Sequence, residues 1–123
     1  MSLAPTMPRA GDPHALAQRL RHRILLQAPN ETSDGAGGSS ISWDDVATLW
    51  AEIVPLQAGR YERVFAEQLG ERLTHRITLR YRADINSTHR ILFGERLFNI
   101  RCVVNVGEAG VILEILAEEG VAL

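Results

Sequence analysis

With 123 residues, 46% of them hydrophobic and 23% charged, the chain has the composition of one folded domain with one core, neither disordered nor fibrous. A formal net charge of −2 excludes the broad cationic field that non-specific duplex binding requires. The single cysteine, Cys102, excludes an intrachain disulfide and any zinc site built from several thiolates, and it points to a reducing compartment.

The chain opens on MSLAPTMPRAGDPHALAQ, which lacks the apolar centre of a signal peptide, and no run approaches the ~18 apolar residues of a membrane span. A soluble protein without a readable export signal is expected. Residues 1–18 read as a flexible N-terminal arm and residues 19–123 as a single domain. From Leu20 the pattern acquires period two: Leu20, His22, Ile24 and Leu26 share one parity and Arg19, Arg21, Arg23 and Gln27 the other, which predicts a strand with a polar outer face. Residues 28–45, APNETSDGAGGSSISWDD, hold Pro, Asn, three Gly and four Ser, and predict a long flexible loop between the first two strands. Residues 46–56, VATLWAEIVPL, are apolar at both parities, as in a strand covered on both faces or by a neighbouring subunit; Pro55 puts its end near an edge or bulge. Residues 59–70, GRYERVFAEQLG, place Tyr61, Val64, Phe65, Gln68 and Leu69 on one side at helical spacing and close on a glycine, predicting one short helix.

Alternation returns in residues 74–82, with His75, Ile77, Leu79 and Tyr81 opposite Thr74, Arg76, Thr78, Arg80 and Arg82. Residues 89–93 and 96–106 flank Gly94-Glu95, a two-residue connection suited to a type II′ hairpin. Phe98, Ile100, Cys102 and Val104 would fill the core side of the second of these strands, making Cys102 a buried structural thiol. A turn at 107–110 leads to a last strand over 111–118, with Val111, Leu113, Ile115 and Ala117 on one face. The chain is therefore read as mainly β: a small antiparallel β-barrel or sandwich of five to six strands with one short helix.

No catalytic constellation accompanies this scaffold. His22, His75 and His89 fall on different predicted strands without a local ligand spacing, so no metal is expected. The acids Asp44-Asp45 and Glu118-Glu119 are sequence neighbours, which on a strand point to opposite faces, a poor geometry for acid and base acting on one substrate. Gly35, Gly37 and Gly38 lack the Gly-Lys-Ser/Thr ending of a phosphate loop. The thirteen basic residues are all Arg, and two stripes, Arg19/Arg21/Arg23 and Arg76/Arg80/Arg82, repeat like charge along a strand face. Solvent, nucleic acid on a barrel of oligonucleotide-binding type, or an acidic face of another subunit could each compensate them.

The order of THRITLRYR, RILFG, a second strand containing FNI, a short turn and LEILAEEG resembles the phage head-tail joining protein family, the head-closure or stopper proteins of long-tailed phages and gene transfer agents. The resemblance runs from about Leu20 to Val121. It implies a structural, non-enzymatic β domain without cofactors, assembled in the bacterial cytoplasm as a homo-oligomeric ring in the neck of a virion or phage-like particle. There it would join the portal/adaptor ring to tail-side neck proteins and surround double-stranded DNA without reading its sequence. The segment matching the family's channel loop is 28–42, with Glu31, Asp34, Gly35, Gly37 and Gly38; its acids and lack of Lys or Arg suit a gate that does not hold phosphates. Arg21, Arg23, Trp43, Trp50, Arg76, Arg80 and Arg82 are the expected subunit or partner contacts. A single-strand nucleic-acid-binding barrel is the alternative.

Overall fold

The computed structural model describes residues 13–33, 35–56 and 73–120. A helix, α1 (Pro13–Arg19), precedes six strands: β1 (His22–Ser33), β2 (Ser39–Pro55), β3 (His75–Arg80), β4 (Arg90–Phe93), β5 (Arg96–Asn105) and β6 (Ile112–Glu119). They form a closed antiparallel barrel in the order β1-β2-β3-β6-β5-β4, sealed where Leu25, Leu26 and Gln27 of β1 face Leu92, Ile91 and Arg90 of β4. Closure leaves no open sheet edge around the barrel waist.

Period two decides what fills the barrel. Ile24 and Leu26, Ile77 and Leu79, Phe98 and Ile100, and Leu113, Ile115 and Ala117 all lie inside and are essentially inaccessible, as their parity in the sequence requires. Ile85, from the connection between β3 and β4, joins the same cluster. The β4–β5 turn has Gly94 at φ +60° with Glu95 outside the left-handed region, as a type II′ hairpin demands.

Two bulges break the parity. Between Ile100 and Cys102 the register with β6 slips past Arg101, so Val103 instead of Cys102 packs against the core. Cys102 is consequently half-exposed and Val104 is 44% exposed, against the expectation that both line the interior. On the other side of the barrel Leu26 faces Ala47 while Gln27 faces Asp45, leaving Val46 as the extra residue of β2.

The segment expected as a long flexible loop is mostly strand. Residues 28–33 pair with 39–44 in unbroken register, from Ala28 opposite Asp44 to Ser33 opposite Ser39, so β1 and β2 continue beyond the barrel as a two-stranded ribbon. Hydroxyls and short polar side chains serve a solvated ribbon as well as a loop: Thr32 Oγ1 meets Ser40 Oγ at 3.2 Å and Ser42 Oγ donates to the Asn30 carbonyl at 3.3 Å. Gly35 and Gly37, at φ +77° and +85°, serve the turn at its tip.

The helix also differs from expectation. The one anticipated at 59–70 lies outside the described residues, whereas α1 overlaps the end of the segment read as an arm. Leu16 and Leu20 are buried against Ile112, an outward-facing residue of β6, with Val106 beside them. Arg19 Nη2 meets Glu52 Oε1 at 2.9 Å, tying the end of α1 to β2. Leu16→Ala should cost about 2 kcal/mol, the lower end for a buried leucine because this cluster is small, read as a lower midpoint in urea unfolding.

Candidate functional site

The ribbon is the feature that a barrel alone does not need. Six residue pairs beyond Gln27–Asp45 carry it ~20 Å outward at about 3.3 Å per residue. Its base is fixed by one outward-facing row running across five strands: Asp45, Gln27, Arg90, Asn99 and Glu118 are successive register partners. Gln27, only 8% exposed, donates from Nε2 to Asp45 Oδ1 at 2.8 Å and accepts at Oε1 from Arg90 Nε at 2.8 Å. The amide thereby links a cation on the barrel to a carboxylate on the ribbon. Arg90 also lies 4.1 Å from the centroid of the Trp43 ring. Burial pulls the Arg90 pKa below its ordinary value, but that value is so high that the guanidinium remains a cation at neutral pH. Packing of Trp43 against it is a cation–π contact that anchors the first residues of the ribbon to β4.

Toward the tip the ribbon is exposed, uncharged or acidic. Glu31 faces Ile41, which is 62% exposed, and no Lys or Arg occurs from 28 to 45. Gly35, Gly37 and Gly38 are exposed at or beside the turn, while Asp34 lies outside the described residues.

The expected arginine stripes are kept only in part, by Arg76 and Arg80 on the outer face of β3. Arg19 belongs to α1, and exposed Arg21 donates from Nε to the Gln18 carbonyl at 2.9 Å, holding the end of that helix. Arg23 stands directly opposite Trp50, with the guanidinium 5.6 Å from the ring centroid. Arg76 sits half-buried between Val54 and Leu116, and exposed Arg80 faces Ile112. Arg82 lies beyond the end of β3, and its guanidinium grips Asp84 through two bonds of 3.0 and 2.9 Å. The structure therefore unites Arg23 with Trp50 and Trp43 with Arg90, keeps Arg76 and Arg80 on the outer face of β3 and separates Arg19, Arg21 and Arg82 from these rows. Gln27, Asp45 and Arg90 were missed because their association depends on pairing between β1 and β4, 63 residues apart.

The model of the phage head completion protein family matches residues 16–120. The chain belongs to that family. Head completion proteins are structural proteins of the phage head, not enzymes, and a structural role in head completion follows from membership. The solution structure of a Shigella flexneri 2a protein is similar at a TM-score of 0.65 and 34% identity, over 83% of this chain and 94% of that one. A chain in the virion of a native gene transfer agent particle is similar at a TM-score of 0.60 and 26% identity, over 85% of this chain and 98% of that one. No curated protein sequence matches.

In this head completion protein two histidines, His22 and His75, pack against phenylalanines. His22 meets Phe93 edge-on and His75 meets Phe98 in the same way, each with ring centroids 5.0 Å apart. Among the described residues no three His, Cys, Asp or Glu side chains are grouped as metal ligands would be. Cys102 lines a groove of about 430 Å³ between the 81–87 connection and the last part of β5, with Tyr81, Arg82, Arg101 and Asn105 around it.

His75 belongs to a polar cluster at the opposite end of β3. Thr74 Oγ1 donates to the Ala117 carbonyl and accepts from the Glu119 backbone N–H at 2.7 Å. Every bond is satisfied if His75 is neutral with its proton on Nδ1, donating to Thr74 Oγ1 at 2.9 Å while Nε2 accepts from Arg96 Nη2 at 3.3 Å. Burial lowers the His75 pKa, outweighing the opposing pull of Glu119 and aided by Arg96. The hydrogen bond from Arg96 lowers that of Glu119. Both shifts have one sign: the unfolded chain takes up protons more readily, so acid destabilises the fold. Loss should begin below pH ~6.5, where unfolded histidine protonates, and continue below about 4.3 as unfolded glutamate does. Melting temperature should fall monotonically from pH 7 to 4, and His75→Gln should flatten the upper part of that curve.

Proposed function

We propose that this head completion protein is a subunit of a ring in the neck of a phage or gene transfer particle. The ring joins the portal/adaptor to the tail and closes the filled head, with the 28–45 ribbon directed into the DNA channel. The observation that carries this reading is the ribbon itself, an arm ~20 Å long whose base is locked to a closed barrel by Gln27, Arg90 and Trp43. A locked base with an extended tip gives a lever that obstructs a channel without unfolding the domain that carries it. Its lack of cations and the carboxylate of Glu31 keep phosphates from adhering, so double-stranded DNA passes without sequence-specific binding.

The test is a ribbon shortened on its own register. Replacing residues 31–41 with Asn-Gly joins the paired Asn30 and Ser42 through a type I′ turn and leaves the barrel contacts in place. The variant should melt within a few degrees of the wild type, yet particles carrying it should contain heads that have lost their DNA. Heads that stay full would remove the gate, and absence of the wild-type chain from the necks of particles would remove the ring.

A further inference from the structure

We infer that the outer wall of the barrel carries two complementary faces for a second copy of this chain, one around Arg23 and Trp50 and the other around Val104 and Glu114. The inference rests on the ring reading and adds which surfaces meet. A ring built from one kind of subunit needs a head-to-tail contact between two different faces set apart around each subunit. In the order β1-β2-β3-β6-β5-β4, β1 lies across the barrel from β6 and β2 across from β5. Arg23 and Trp50, on β1 and β2, therefore look away from Val104 and Glu114, on β5 and β6.

The first face is basic and apolar. Trp50 is 53% exposed although Ala51 beside it is fully buried, so the indole stands on the outer wall with the Arg23 guanidinium beside its ring. Leu25, Leu92 and Leu97, register partners in one half-buried outward row, form an apolar shoulder next to it. Neither Arg21 nor Arg23 meets a carboxylate among the described residues; their contacts are the Gln18 carbonyl and the Trp50 ring. Trp and Arg are the side chains that most often carry binding energy at the centre of a contact.

The second face is apolar and acidic. Val104, turned outward by the bulge at Arg101, is 44% exposed and pairs directly with Glu114. Glu108 is exposed just beyond the end of β5. Neither Glu108 nor Glu114 forms an ion pair within the described residues; Glu114 acts on Arg19 only at longer range, the Arg19 guanidinium being held by Glu52. Two copies meeting through identical faces would set Arg23 against Arg23 or Glu114 against Glu114. Like-charge contact disfavours both, and the basic face of one copy against the acidic face of the next satisfies each.

The decisive experiment uses particles assembled with the surrounding structural genes. In a Cys102→Ser background, Arg23→Cys combined with Glu114→Cys should give a ladder of disulfide-linked multimers on oxidation, whereas either cysteine alone should give no ladder. Independently, Arg23→Glu or Glu114→Arg should each lower incorporation about tenfold, and the two together should restore it; melting of the purified chains checks that both remain folded. A wild-type ring visible in the neck with no ladder from the double-cysteine chain would overturn the assigned faces while the ring stands. Cross-linking of either single cysteine to a different neck protein would overturn the second copy as occupant. A wild-type chain absent from the neck would remove the ring reading together with this inference.

Discussion

Phe98→Ala should cost about 3–5 kcal/mol, a large share of the ~5–15 kcal/mol that stabilises a domain of this size. The side chain is fully buried and is the largest among the inaccessible ones. It lies where β5 is paired on both sides, opposite Ile91 of β4 and Glu119 of β6, so the cavity would open at a seam of the barrel rather than beneath a surface that can collapse into it. Its ring also supports the polar cluster above, with His75 edge-on and the Arg96 guanidinium 5.0 Å from its centroid. Phe98→Leu, which keeps most of the volume, should lose less than half as much. Urea unfolding of the three chains checks the order. An alanine variant within 1 kcal/mol of the wild type would show that the barrel closes without this residue.

The sequence revealed an antiparallel β scaffold, barrel or sandwich, because most of its strands are buried on one face. Alternation in β3 and β6 put Ile77, Leu79, Leu113, Ile115 and Ala117 on the inner side, and all five are there. What alternation could not reveal was where it breaks. A bulge adds one residue without changing composition, so nothing in RCVV announces that Arg101 is the extra residue and that Cys102 and Val104 turn outward.

The ribbon was hidden for a related reason. Ser, Thr, Asn and Gly mark loops because they tolerate turns, yet a solvated two-stranded arm has no buried face to demand apolar residues at every second position. Only Ile41 and Trp43 hinted at strand, and the partner that gives Trp43 its place, Arg90, lies 47 residues away on β4. Helix α1 was similarly obscured: Leu20 fits the alternation of the strand that follows, and Leu16 stands alone until Ile112 offers both a surface.

Arg90→Met tests whether the ribbon's base is held as the geometry indicates. Methionine preserves much of the apolar stem but leaves Gln27 Oε1 buried without its donor, a cost of about 1–3 kcal/mol, and removes the cation over Trp43, worth roughly 0.5–2 kcal/mol. Because Gln27 also holds Asp45, the loss should propagate along the ribbon and not into the barrel. Amide hydrogen exchange should accelerate from residue 28 to 45 while the inward strand residues keep their protection. Arg90→Lys should restore little, since a single ammonium cannot both donate to Gln27 and lie flat on an indole. A double-mutant cycle with Trp43→Leu isolates the ring contact, with a coupling of ~0.5–2 kcal/mol expected. Unchanged exchange across the ribbon in Arg90→Met would mean that backbone pairing with β2 alone keeps the arm extended. In that case Gln27, Arg90 and Trp43 would be ordinary surface contacts, and the lever would have no fixed fulcrum.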